Sequence, residues 1–177
     1  MSFSHSLKER ARVYSPYWIL ALYHWTLSLL AAWWYGHPSR SLIVIGVTGT
    51  NGKSTTVNMI GRILERAGYR VGWTSTANFK VAEVEWLNDR KMTMLGRFAT
   101  QKLLNQMKRN SCEIAIVETS SEGIKQYRHS GIAFDIAVFT NLTPEHIESH
   151  GGFKNYKLAK AKLFQSVSRS SQKELRG

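Results

Sequence analysis

The sequence predicts an α/β fold: a doubly wound, mostly parallel sheet with a phosphate-binding loop, preceded by an aromatic apolar helix. Three observations carry this. Short apolar runs rich in β-branched residues alternate with stretches of helical apolar spacing, the pattern of a parallel sheet covered on both faces. One such run, LIVI (Leu42 to Ile45), leads straight into GVTGTNGKSTT (Gly46 to Thr56). Ahead of it stands YWILALYHWTLSLLAAWWY (Tyr17 to Tyr35), with tryptophans at 18, 25, 33 and 34.

The elements follow in order. The aromatic segment reads as a helix that ends at the turn Gly36-His37-Pro38-Ser39. Ser41 to Val47 reads as a buried strand. Lys53 to Ala67 carries helical spacing (Val57, Ile60, Ile63, Leu64), with Gly68 placed as its C-cap. Tyr69 to Thr76 is expected to be a second strand, and the alternating Lys80 to Trp86 a single exposed one. A helix over Phe98 to Lys108, strands over Glu113 to Glu118 and Asp135 to Thr140, and a helix over Asn155 to Ser166 complete the pattern. The polar tail SVSRSSQKELRG is expected to fray.

Bulk properties narrow the function classes. The chain has 177 residues, 43% of them hydrophobic, which excludes a disordered chain. Its 24 Lys and Arg against 12 Asp and Glu give a formal charge of +12. Such a surplus either attracts anions, whether nucleotide, nucleic acid, acidic lipid or substrate, or is simply a solvated basic surface. No aromatic-basic recognition motif accompanies it, so nucleic acid is not an expected partner. The single cysteine, Cys112, permits no intrachain disulfide, fits a reducing cytosol, and reads as a packing residue.

The glycine loop departs from the usual signature of Gly, four residues, then Gly-Lys-Ser/Thr. Counting back from Gly52 and Lys53 puts Val47 at the first position; Gly46 lies one residue too early. The physics does not need that count. Flexible glycines let backbone N–H groups turn toward oxygen, and the helix N-terminus aims at an anion. A lysine reaches outer phosphates and a hydroxyl can ligate magnesium. Gly49, Thr50, Asn51, Gly52, Lys53, Ser54 and Thr55 are therefore the candidate nucleotide-binding residues. A glycine turn with no ligand would leave Lys-Ser-Thr-Thr at the helix start unexplained. Glu118, ending the run IAIV, is a hard oxygen donor at the tip of a buried strand, where ligands meet such sheets.

Three stretches together resemble the Mur ligase family, ATP-dependent enzymes that join amino acids to cell-wall precursors. Gly46 to Ser54 is similar to the family's Gly-x-Thr-Gly-Thr-Asn-Gly-Lys-Ser/Thr loop. VETSSEGIKQYR resembles the Glu-Val-Ser-Ser-His segment of the family's UDP-N-acetylmuramoyl-tripeptide synthetase branch, with Glu122 where histidine is common. FTNLTPEHIESHGGFKNYKLAKAKLF (Phe139 to Phe164) resembles Asn-Leu-x-x-Asp-His-x-x-x-His-Gly followed by Tyr-x-x-Ala-Lys, with Glu145 in place of aspartate. On residues alone, His146 and His150 with Glu145 and Glu148 make a weak metal pattern, because Gly151-Gly152 interrupts any helix.

The resemblance implies an amide-forming ligase of peptidoglycan precursor synthesis. ATP would phosphorylate a carboxylate of a UDP-N-acetylmuramoyl-peptide, and the amine of an amino acid would attack the acyl phosphate. It implies Lys53, Glu118, His146 and Lys160 as catalytic, and Ser54, Glu118 and His146 as Mg²⁺ ligands. It further implies carbamylation at Lys160, and Thr93, Ser120, Gln126 and Arg128 near the muramoyl substrate. Thr93, in MTMLGRF, stands in for the branch's Thr-Thr-Pro motif. The resemblance covers roughly Leu42 to Phe164, the first part of a central ATPase domain. Residues 1–40 are thus expected to be a separate helical segment, and residues 41–177 a partial ATP-binding domain of a truncated ligase. Two alternatives stand beside it: a folylpolyglutamate synthetase-like ligase, against which Ser54 argues because glycine usually follows the lysine there, and a non-catalytic nucleotide-binding module.

The aromatic helix leaves three placements open: spanning a membrane, lying on its surface, or packing on the protein. No small-residue cleavage site marks a signal peptide. Lys8, Arg10 and Arg12 precede it and Arg40 alone follows closely, a bias that keeps the N-terminus in the cytoplasm. A span would then export the loop to the side without ATP. A cytoplasmic protein, touching the inner membrane surface through residues 17–35, is the expectation.

Overall fold

The computed structural model describes residues 17–90, 92–143 and 152–170. It contains a six-stranded sheet in the order β4-β3-β2-β5-β1-β6. The elements are α1 (Tyr17–Trp34), β1 (Ile43–Thr48), α2 (Lys53–Arg66), β2 (Val71–Thr74), β3 (Asn78–Val81), β4 (Val84–Leu87), α3 (Arg97–Arg109), β5 (Ile114–Glu118), α4 (Ser121–Lys125), β6 (Ile136–Phe139) and α5 (Phe153–Ser170). Strands β2, β5, β1 and β6 pair in parallel; β3 and β4 add an antiparallel hairpin at one edge. The doubly wound, mostly parallel sheet and its preceding helix are as expected.

Alternation along the central strands builds two cores. Val44, Ala115 and Val117 face one side, with Leu104 and Met107 of α3 and Leu163 of α5. Ile45, Val47, Ile114 and Ile116 face the other, with Val57 of α2 and Trp73. Each strand residue therefore buries its side chain under a helix, which is why β1 and β5 read as continuous apolar runs. Cys112 joins the first core, as expected of a packing residue, and burial pushes its thiol up from its ordinary value.

Helix ends follow their glycines. Gly68 adopts φ +92°, and the N–H groups of Gly68 and Tyr69 return to the carbonyls of Glu65 and Leu64. The same closure ends α1, where Gly36 and His37 donate to Trp33 and Ala32 before Pro38 starts a 3-10 turn.

Three expectations need correction. Lys80 to Trp86 is not one strand: the chain reverses at Ala82, whose φ is +51°, so β3 is largely buried and β4 is exposed. Alternation of apolar and charged residues looks alike in one long strand and in a tight hairpin. The short helix α4 had no counterpart in the sequence reading; the Ser120 hydroxyl caps it by accepting from the Gly123 N–H at 3.0 Å. Helix α5 runs through Ser170, past the expected end at Ser166.

The face of α1 that meets the domain is made of small residues, with Ser28, Ala31 and Ala32 buried. Ser28 donates to the Tyr127 carbonyl at 2.7 Å, and the Arg97 guanidinium donates to the His24 carbonyl and the Ser28 hydroxyl, both at 3.1 Å. Trp18, Tyr23, Trp33 and Trp34 point outward, each more than half exposed. Among the described residues no helix is long and apolar enough to cross a membrane.

Gly61 of α2 lies against the fully buried Trp73: a Cβ there would stand 2.6 Å from the indole ring. Gly61→Ala gains about 1 kcal/mol of helix propensity. Overpacking against a ring with no room to move costs about 1–3 kcal/mol. A lower urea midpoint with unchanged slope is expected; a midpoint raised by the substitution would contradict this packing.

Candidate active site

Residues 49–52 join β1 to α2, and almost every fixed group in that loop is held from elsewhere. Gly49 has φ +156°, and a Cβ on it would overlap the Thr140 hydroxyl at 1.8 Å. Its carbonyl accepts from the Lys160 ammonium of α5 at 2.7 Å. The Thr50 and Asn51 N–H groups donate to the Asn141 carbonyl and side-chain oxygen, at 3.0 and 2.9 Å. The Thr50 hydroxyl lies 2.8 Å from the Tyr156 hydroxyl. Gly52, at φ +77°, then starts α2.

The first glycine of the motif, Gly46, has a different task. It lies within β1, where a Cβ would meet the Phe134 ring at 2.9 Å and Leu163 at 3.0 Å. It makes room for packing on the sheet and stands outside the loop, which explains the irregular spacing.

Glu118 ends β5 beside Val47, its register partner on β1. Its carboxylate is 1% exposed. It accepts from the Ser54 hydroxyl at 2.7 Å, the Thr76 N–H at 2.7 Å and the Thr76 hydroxyl at 3.0 Å. The same Thr76 hydroxyl accepts from the Thr93 hydroxyl at 3.0 Å, its own proton being committed to Glu118. A buried carboxylate without such donors would be costly. Ser54 and Glu118 are hard oxygen donors adjoining a helix N-terminus, a set that fits Mg²⁺. Among the described residues no three His, Cys, Asp or Glu side chains cluster.

Beside the loop opens a cleft of about 490 Å³, walled by Gly49, Thr50, Lys53, Thr93, Ser120, Arg128, Tyr156 and Lys160 among others. Three of these are cations. Lys53 donates to the Thr50 carbonyl at 2.7 Å. Lys160, 3% exposed, lies over the Tyr156 ring. Burial, and then the Lys53 charge, lower its amine from 10.5 to about 8. The Arg128 guanidinium is tied back to the Met94 carbonyl and the Gln126 side-chain oxygen.

Of the sequence-predicted residues, the structure gathers Gly49, Thr50, Lys53, Thr93, Ser120, Arg128 and Lys160 on one cleft, with Ser54 and Glu118 at its edge. Gln126 does not line it; it braces Arg128 and donates to Glu122 at 2.9 Å. Asn51 and Thr55 are exposed on the loop and the first turn of α2. His146 falls at 144–151, outside the described residues, as do Glu145, Glu148 and His150. Sequence reasoning missed Thr76, Thr140, Asn141 and Tyr156. Thr140, Asn141 and Tyr156 stood inside the quoted motif stretch, which was their one signal; Thr76 had none.

Residues 47–173 match the family described as the Mur ligase middle domain. The UDP-N-acetylmuramyl-tripeptide synthetase of Treponema pallidum (strain Nichols) is 41% identical over 143 residues, 80% of this chain and 26% of that protein. A solved UDP-N-acetylmuramoyl-L-alanyl-D-glutamate--2,6-diaminopimelate ligase superposes with a TM-score of 0.67 at 27% identity, over 80% of this chain and 33% of its own. E. coli FolC in complex with DHPP and ADP, at 20% identity and a TM-score of 0.60 over 90% of this chain and 50% of its own, shares the fold. The chain thus spans about a quarter to a third of the Mur ligases it matches. On the extent of the family match and the level of identity, the chain belongs to the Mur ligase family, of which it carries the middle domain.

Proposed function

We propose that this chain is the nucleotide-binding part of an ATP-dependent carboxylate–amine ligase of peptidoglycan precursor synthesis. Residues 41–177 supply that part and residues 1–40 a helical segment. The observation that supports it most is the meeting of Lys53, Ser54 and Glu118 at one sheet edge, beside a cleft with Arg128, Ser120 and Thr93 on its wall. The name carried by the Treponema relative, a tripeptide synthetase, supports the same substrate class.

In this reading Gly49, Thr50 and Asn51 shape the loop, the N–H groups from Gly52 to Thr55 at the α2 N-terminus face ATP, and Lys53 holds its outer phosphates. Ser54 and Glu118 hold Mg²⁺, which when bound offsets charge on the transferred phosphoryl group. His146 is assigned to a second metal position by resemblance. Arg128, oriented by Gln126, pairs with a carboxylate or phosphate of the UDP-N-acetylmuramoyl-peptide, while Thr93 and Ser120 offer hydroxyls. A carboxylate oxygen of that substrate attacks the γ-phosphorus and ADP leaves. The amino-acid nitrogen then attacks the acyl carbon; phosphate departs and the nitrogen loses a proton. The site works in the cytoplasm, with the outward aromatic face of α1 on the inner membrane surface.

Lys53→Met is expected to weaken ATP binding by at least about tenfold, the scale of one charge-assisted hydrogen bond. Glu118→Gln should do so with magnesium present and have little effect without it. Calorimetric titration with and without the ion reads both, and unchanged binding by Lys53→Met would overturn the assignment. Phosphate release that depends on UDP-N-acetylmuramoyl-dipeptide and an amino acid marks the ligase. ATP binding with no such release marks a non-catalytic module.

Lys160 carries the carbamylation proposal. An amine at about 8 has roughly two orders of magnitude more free base at neutral pH than one at 10.5. With ¹³C-bicarbonate, a carbamate carbon resonance is expected in the wild type and absent in Lys160→Arg. Uptake should climb as pH rises through about 8, because the amine deprotonates there; a midpoint near 10.5 would contradict the burial argument.

For α1, co-sedimentation with vesicles of phosphatidylcholine and phosphatidylglycerol is expected, and Trp18→Ser with Trp33→Ser should reduce it severalfold. Binding indifferent to both substitutions would remove the membrane from this reading.

A further inference from the structure

A second cavity, with no lining residue in common with the cleft beside the loop, lies between α1, the turn at residues 129–133 and α5. It measures about 510 Å³, and Trp25, Leu29, Arg40, His129, Ile132 and Lys162 are on its wall. Among the described residues no Asp or Glu lines it, and Arg40 and Lys162 make no ion pair. The sequence itself carries no acidic residue between Glu9 and Glu65.

The walls are fixed in place. Gly131 lets α1 approach: a Cβ there would stand 2.5 Å from the Ser28 carbonyl and 3.1 Å from the Ala32 methyl. The His129 ring stacks on Tyr127 at 6.4 Å and 18°, and the Lys162 ammonium sits 5.1 Å from the same Tyr127 ring. His129 is 7% exposed, and its Nδ1 has no partner among the described residues. One rim of the cavity is thus cationic and one wall, Trp25 and Leu29 of α1, is apolar.

We propose that this cavity is a second anion site, which takes a phosphate group between Arg40 and Lys162 and lays the apolar part of its carrier against Trp25 and Leu29. Two cations with no counter-ion among the described residues, around one concave surface that no described acid lines, favour a phosphate. The apolar wall continues onto a helix whose outer face is aromatic, so the carrier is either a soluble phosphate compound or a lipid headgroup. The site needs neither the nucleotide reading nor the membrane reading to hold; only the lipid source connects it to the latter.

His129 reports on the site. Burial, and then the Lys162 charge, hold its imidazole at about 4. An anion that neutralises Lys162 removes part of that depression and moves the value upward. The ring signals, assigned by their loss in His129→Gln, are followed while the chain is titrated with inorganic phosphate. A parallel titration uses dihexanoyl-phosphatidylglycerol, kept below its micelle concentration. A saturable shift and a raised His129 pKa are expected, abolished in Arg40→Gln/Lys162→Gln and, as a second variant, in Lys162→Glu. A response to inorganic phosphate identifies a soluble source. A response to the lipid alone, absent with dihexanoyl-phosphatidylcholine, identifies a headgroup. Silence toward both, or a shift that survives in the variants, overturns the proposal. ATP binding, lost in Lys53→Met and retained in Arg40→Gln/Lys162→Gln, keeps the fate of the nucleotide reading separate from this one.

Discussion

The Lys160 side-chain nitrogen donating to the Gly49 carbonyl, 2.7 Å away, is the contact on which the site depends. The residues between β1 and α2 have neither ladder nor helix to satisfy their backbone groups. Buried backbone polar groups must nevertheless be paired. Lys160 from α5, Asn141 and Thr140 after β6, and the Tyr156 hydroxyl supply those partners. The loop is thereby fixed before any ligand arrives, by elements that lie about ninety or more residues further along the chain. Preorganisation of this sort holds Lys53 and the start of α2 beside the cleft without an ordering cost at binding.

The same contact explains the electrostatics. Lys160 is buried and stands near Lys53, so its cation is held where both surroundings and neighbour disfavour it. Glu118 lies across the loop, with its charge met by Ser54 and Thr76. Among the described residues the site therefore collects more positive than negative charge at one end of the sheet, a field that complements a polyphosphate. Strand order makes this inevitable once the sheet forms. Because β1 sits between β5 and β6, the ends of both neighbours, Glu118 and Thr140-Asn141, must flank the loop that leaves β1.

Helix α1 turns the usual arrangement inside out. It is seated on the domain by a buried serine, a carbonyl and an arginine, and it shows its tryptophans to the outside. Its tryptophans are thus not what hold it: the buried Ala31 and Ala32 pack on the domain, and hydrogen bonds cross from α1 to Arg97 and Tyr127. That division leaves an apolar surface available on one side and, beside it, the cationic cavity at Arg40 and Lys162.

Local chemistry settled a large part of this protein in advance. The apolar runs at β1 and β5, the helical spacing after Lys53, the cap at Gly68 and the glycine–lysine–serine loop are all written within a few neighbouring residues. They depend on backbone preferences and on burial that repeats with a fixed period. What the tertiary structure alone decided were the long-range partners: Gly46 yielding to Phe134 and Leu163, Thr76 holding Glu118, Gln126 bracing Arg128 rather than lining the cleft, and the reversal at Ala82. Those outcomes depend on which elements become neighbours in the sheet and how closely they pack. No spacing along the chain encodes that, because a hydrogen bond between distant residues leaves no period in the sequence that separates them.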